Sequence, residues 1–166
     1  MAAIEHPSAD ILKILEQDAR TTIAQIAAMT GKDEAAVRAK IEELERQGII
    51  RRYKTVINWE KAGRDLVYAF IDVKVTPSRG VGFDDVAERI YKFPEVYSVY
   101  LVSGEFDLRV VVTGNSMKEV AFFVTEKLAT IDRVQSTITH FVLKRYKEDS
   151  DILEEPSEDR RLPVTP

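Results

Sequence analysis

The sequence contains no cysteine, which excludes disulfides, thiolate catalysis, iron–sulfur clusters and cysteine-held zinc. Histidine is nearly as scarce: His6 and His140 are the only two, too little material for an imidazole-built metal site. No metal ligand set and no cofactor are expected. No apolar run approaches the ~18 residues of a membrane span, and the opening MAAIEHPSAD lacks the basic-then-apolar order of a secretory signal. A cytoplasmic protein with no membrane partner is the expectation. A charge excess of one sign is also missing from most of the chain. Residues 148–166 hold seven acids and two arginines, a balance of −5, so the overall −4 leaves residues 1–147 at +1. Bulk charge therefore does not advertise nucleic-acid binding, and any such binding has to come from a local patch.

What is present begins with helical spacing. Ile11, Leu12 and Leu15 share one face of a first helix starting near Ser8. Thr22 with Gln25 has capping-box spacing and opens a second helix with Ile23, Ile26 and Ala27 inward. Gly31 suits a left-handed helix end, and Asp33 can cap a third helix with the stripe Val37, Ile41 and Leu44. Gly48 stops it, and Ile49–Ile57 (IIRRYKTVI) reads as a β-hairpin or wing.

From Leu66 the period changes to two. Leu66–Val75 alternates, placing Val67, Ala69, Ile71, Val73 and Val75 on one face. A helix over Phe83–Phe93, strands over Val96–Val102 and Phe106–Thr113, a helix capped by Asn115 and running to Ala129, and a strand over Val134–Tyr146 follow. The order β-α-β-β-α-β predicts a ferredoxin-like sandwich. The fold class is α+β, a winged helix-turn-helix followed by that sandwich. The expected domains are 1–57, a linker at 58–65, the αβ domain at 66–147, and an acidic disordered tail at 148–166. Several strands are apolar on both faces, as where Val99 and Leu101 alternate with Tyr100 and Val102, while two helices cover only one side. The bare side predicts a homodimer through the second half.

The third helix offers Lys32, Glu34, Ala35, Arg38, Ala39 and Glu42 on its N-terminal outer surface. Small residues let such a helix approach a major groove, where Arg38 reaches base edges. Lys40 points to a flank, and Arg51, Arg52 and Lys54 are placed to grip the phosphate backbone. Lys32, Ala35, Arg38, Ala39, Lys40, Arg51, Arg52 and Lys54 are thus the expected contacts to double-stranded DNA. The competing explanation is a solvated helix laced with pairs such as Glu42–Arg46.

On these residues the first half resembles the DNA-binding domain of the Lrp/AsnC (feast/famine) transcription regulators. The resemblance runs through Asp10–Leu15, Asp18-Ala19-Arg20, Ile23–Ala27 and Val37 to Ile50. The second half resembles the ligand-sensing domain of the same family, through Leu101–Leu108 and Thr137–Lys144. The resemblance implies a dimer through the sheet face that assembles into higher oligomers. It also implies a small effector, an amino acid, held between dimers by Val102, Ser103, Gly104 and Asp107, with Thr137 and Thr139 on the last strand.

Two alternatives are weighed against this regulator. The scaffold also resembles siroheme decarboxylases, but His140 stands alone in a strand, Gly80-Val81-Gly82-Phe83 lacks the third glycine of a dinucleotide loop, and Asp84-Asp85 is explained by a helix dipole. No catalytic residue is assigned and no enzyme is expected. A sensing protein without specific DNA binding is favoured only by the neutral balance of residues 1–65, eleven basic against eleven acidic.

Overall fold

The computed structural model describes residues 8–77 and 82–154. The expectations placed on His6, on Gly80-Val81 and on 155–166 lie outside these residues. The chain divides into two compact units between Ile57 and Asn58.

The first unit is the expected helical trio: α1 (Ala9–Gln17), α2 (Ile23–Thr30) and α3 (Glu34–Arg46). Its core is Ile11, Leu15, Ile26, Ala27 and Val37, with Ile14, Ile23, Ile41 and Ile50 packed at the margin. The local signals act as read. Thr22 and Gln25 form both halves of the capping box, and Asp33 accepts from the backbone N–H groups of Ala35 at 2.9 Å and Ala36 at 3.0 Å. Gly31 takes φ 67°, a left-handed conformation that turns α2 sharply into α3. The β-hairpin expected at 49–57 does not form: these residues carry no strand. The stretch holds no Gly, Pro or Asn to reverse the chain, and residues 51–55 are all exposed, so nothing pulls it into a ladder.

In the second unit, β1 (Val67–Val75), β2 (Val96–Leu101), β3 (Leu108–Gly114) and β4 (Val134–Phe141) form an antiparallel sheet of order β2-β3-β1-β4. Helices α4 (Asp84–Tyr91) and α5 (Met117–Phe123) cover one side, α5 ending in a wider i→i+5 turn over Val124–Leu128. Ala69, Ile71, Val73 and Val75 of β1 and Leu108, Val110 and Val112 of β3 bury against Val86, Ile90, Val120, Phe123 and Leu128. Phe93 meets Phe123 edge-on at 5.6 Å. The helix cap falls one residue later than read: the Ser116 hydroxyl accepts from the Glu119 N–H, while the Glu119 carboxylate reaches back to the Asn115 N–H at 2.7 Å.

The last strand is shorter than its apolar pattern predicts. It ends at Phe141, and Leu143 is 91% exposed. The acidic tail expected from 148 begins instead with a small hairpin, β5 (Lys147–Glu148) against β6 (Asp151–Ile152). Asp149 and Ser150 turn it with φ of 45° and 76°. Arg145 pairs with Glu148 and lies over the Tyr68 ring at 4.0 Å, and Asn58 Nδ2 donates to the Leu153 carbonyl at 3.0 Å. Charge composition hid this hairpin, because Glu148 within it and Glu154 just after it are balanced by Arg145 and Lys144 just before it.

Candidate DNA-reading helix and effector cavity

In α3, Val37 and Leu44 are buried and Ile41 partly so, which turns Ala35, Arg38, Ala39 and Glu42 to solvent. The structure divides the expected DNA contacts by what already engages them. Lys32 is held by Asp10 of α1, and Lys40 by Glu43 at 2.7 Å. Glu43 also accepts from Gln47, and Glu45 accepts from the Tyr53 hydroxyl at 2.8 Å. Partial desolvation, and after it the Glu45 contact, push the Tyr53 phenol up to about 12. Lys54 is exposed but has a partner of its own. Among the described residues, nothing hydrogen-bonds to or pairs with Arg38, Arg51 or Arg52, and all three are exposed. Arg38 is flanked by Ala35 and Ala39, small residues that leave room for a close approach.

The β2–β3 turn builds a second candidate site. Gly104 sits at φ 136°, a backbone conformation that excludes other residues in practice, although a Cβ there would meet nothing within 4 Å. Its role is the shape of the turn. Beside it lies a cavity of about 490 Å³ lined by Asp72, Val102, Ser103, Glu105, Phe106 and Arg109. Val102 and Ser103 were expected here; Asp72, Glu105, Phe106 and Arg109 were not singled out from the sequence.

Asp107 turns away from this cavity. Its carboxylate accepts from the Val75 N–H at 2.9 Å and pairs with Lys74 at 3.3 Å, while Lys74 Nζ also donates to the Glu105 carbonyl at 2.6 Å. The β1–β3 pairing ends at Val73 opposite Leu108, so the Val75 N–H lies past the last paired residue and is taken by this side-chain acceptor. Asp107 therefore fastens the turn to β1 and does not line the cavity. Thr137 and Thr139 are also elsewhere. They stand opposite Val73 and Ile71, whose side chains lie beneath the helices, so both threonines belong to the other side of the sheet.

The polar end of the cavity is an ion pair between neighbouring strands. Arg109 Nε and Nη2 meet the two Asp72 carboxylate oxygens at 2.8 and 3.0 Å, a two-pronged arrangement that leaves Nη1 uncommitted. His140 is not solitary: its Nε2 lies 3.4 Å from Asp72 Oδ2. The Arg109 guanidinium holds the Asp72 carboxyl below the usual range, against the opposing effect of burial. A lone aspartate in the apolar run Val67–Val75 was the sequence signal for such a pair.

A helical head followed by a two-helix, four-stranded αβ unit matches known proteins in both parts. The family model described as Lrp/AsnC ligand binding domain matches residues 68–152, and that described as winged helix-turn-helix DNA-binding matches residues 9–51. The chain belongs to the Lrp/AsnC family. Its relatives are HTH-type transcriptional regulators. YugG of Bacillus subtilis is 51% identical over 158 residues, 95% of each chain. Among solved structures, Escherichia coli AsnC is similar at TM-score 0.66 and 25% identity, covering 84% of this chain and 91% of its own. A Neisseria meningitidis transcriptional regulator in complex with L-methionine is similar at TM-score 0.68 and 27% identity, covering 84% and 89%. The two family models match separate stretches of the chain. Among the described residues no helix is long and apolar enough to cross a membrane, and no group of three or more His, Asp or Glu could hold a metal ion.

Proposed function

We propose that this Lrp/AsnC-family regulator reads specific double-stranded DNA through α3, acts in the cytoplasm as a homo-oligomer, and answers to a small amino acid taken up beside the β2–β3 turn. The observation that carries the reading is the exposed, unpartnered Arg38 between Ala35 and Ala39, with Arg51 and Arg52 equally free on the segment that follows. Arginine presents a planar fork to the guanine edge, and the alanines let the helix sink into the groove. Lys32 and Lys40, already held by Asp10 and Glu43, are assigned to the scaffold of the helix.

The uncovered side of the sheet supports self-association. Tyr100, Phe70 and Ile138 there are 54%, 41% and 46% exposed, an apolar area of the kind that marks an interface. In the cavity, Arg109 Nη1 suits a carboxylate and the exposed Glu105 an ammonium, with Phe106 and Val102 as an apolar wall. That pattern complements a zwitterion, and the Neisseria relative was solved with L-methionine.

The test is selection of bound duplexes from a random pool, with and without a panel of amino acids. A recurrent motif whose recovery changes with one amino acid is expected. Recovery of no motif under any condition overturns the reading. Binding to the selected duplex falls steeply with salt, as counterion release at phosphates requires.

A further inference from the structure

The charged residues of α3 outside its first turn fall into two groups, those held by a partner and those that are free. Glu43 and Lys40 hold each other, and Glu45 is taken by Tyr53. Glu34 lies in the first turn, where the helix dipole accounts for a carboxylate. Glu42 has no such explanation. It is exposed, it sits mid-helix one turn beyond Arg38, and among the described residues nothing hydrogen-bonds to or pairs with it. Arg46, a further turn along, makes no ion pair with it either. A bare carboxylate on a face turned toward phosphates is repelled unless a donor receives it. In the major groove the matching donor is the exocyclic amine of cytosine, which a carboxylate accepts from.

We infer that Glu42 is a specificity-determining residue that accepts from cytosine N4, while Arg38 takes guanine. This rests on the reading of α3 as the DNA-contacting helix. Four residues advance a helix by ~6 Å, and successive base pairs rise by ~3.4 Å. The guanine and cytosine positions therefore lie within two base pairs of each other in each half-site. Glu42 acts as a selector more than as an anchor: it lowers affinity for every duplex and is compensated only where the cytosine is present.

Duplex selection with the full-length protein, its Glu42→Gln variant and its Arg38→Ala variant tests this. The wild type selects guanine and cytosine at the stated spacing. Glu42→Gln loses about tenfold of its preference for cytosine, accepts adenine there because an amide pairs with the adenine edge, and keeps the guanine. Its affinity for unrelated duplex rises, because a repelling charge is gone. Arg38→Ala does the converse, losing guanine and keeping cytosine. A Glu42→Gln variant that returns the wild-type motif, or binds unrelated duplex no more tightly, overturns the role of Glu42 and leaves DNA reading intact. A wild type that selects nothing overturns the reading on which it rests. Circular dichroism melting of both variants separates lost folding from lost recognition.

Discussion

Asp72 joins a structural ion pair to a place in the cavity lining. Its carboxylate is almost wholly buried, doubly bonded by Arg109 and approached by His140, and Arg109 holds its pKa below the ordinary carboxylate value. A group depressed in the folded state stabilises the protein above its unfolded pKa, near ~3.9, and loses that contribution as pH falls through the folded value. Asp72→Asn therefore lowers Tm at pH 7, and the gap between variant and wild type closes on acidification below about 4. Calorimetric melts at both pH values check this; a gap that persists or widens in acid is the contrary result. Asp107 carries the opposite lesson. Its place beside a glycine turn is legible in the sequence, yet its acceptor role toward Val75 depends on where the β1–β3 pairing ends, at Val73 opposite Leu108, which neither strand's own residue pattern announces.

Elements were legible where a local signal fixes them and obscure where pairing across the chain decides. The capping box at Thr22/Gln25, the Asp33 cap and the Gly31 turn are short-range chemistry, and all appear in the structure. Removing the cap with Asp33→Ala is expected to destabilise the helical unit by ~1 kcal/mol. Urea unfolding followed by circular dichroism measures it, and no change in midpoint counts against the cap. The face of a β4 residue, by contrast, is set by its partner strand. A side-chain period of two means that Thr137 and Thr139 can reach the cavity side only in a different register, and opposite Val73 and Ile71 they cannot. The wing failed for a related reason: apolar and basic residues after Gly48 resemble a strand, but a strand needs a neighbour, and the stretch has no turn to supply one.

For the molecule as a whole, the sheet side opposite α4 and α5 combines Phe70, Tyr100, Val111 and Ile138 with the self-neutralised Asp72–Arg109 pair. A pair closed within one chain can be covered by a second copy without stranding a lone charge. Phe70→Glu places an unpaired acid in the middle of that side and is expected to yield monomers where the wild type sediments as dimers or larger assemblies at micromolar concentration. Light scattering after size exclusion distinguishes them, and an unchanged mass removes this surface from the assembly. The αβ unit has one more property, set by the Asn58–Leu153 hydrogen bond. Asn58, where it begins, lies beside Leu153 near the end of its described residues, so the described unit is geometrically suited to transplantation into a surface loop of an unrelated host without forcing the host's ends apart. Binding of a metabolite by the guest could then be read as a change in the host's own signal.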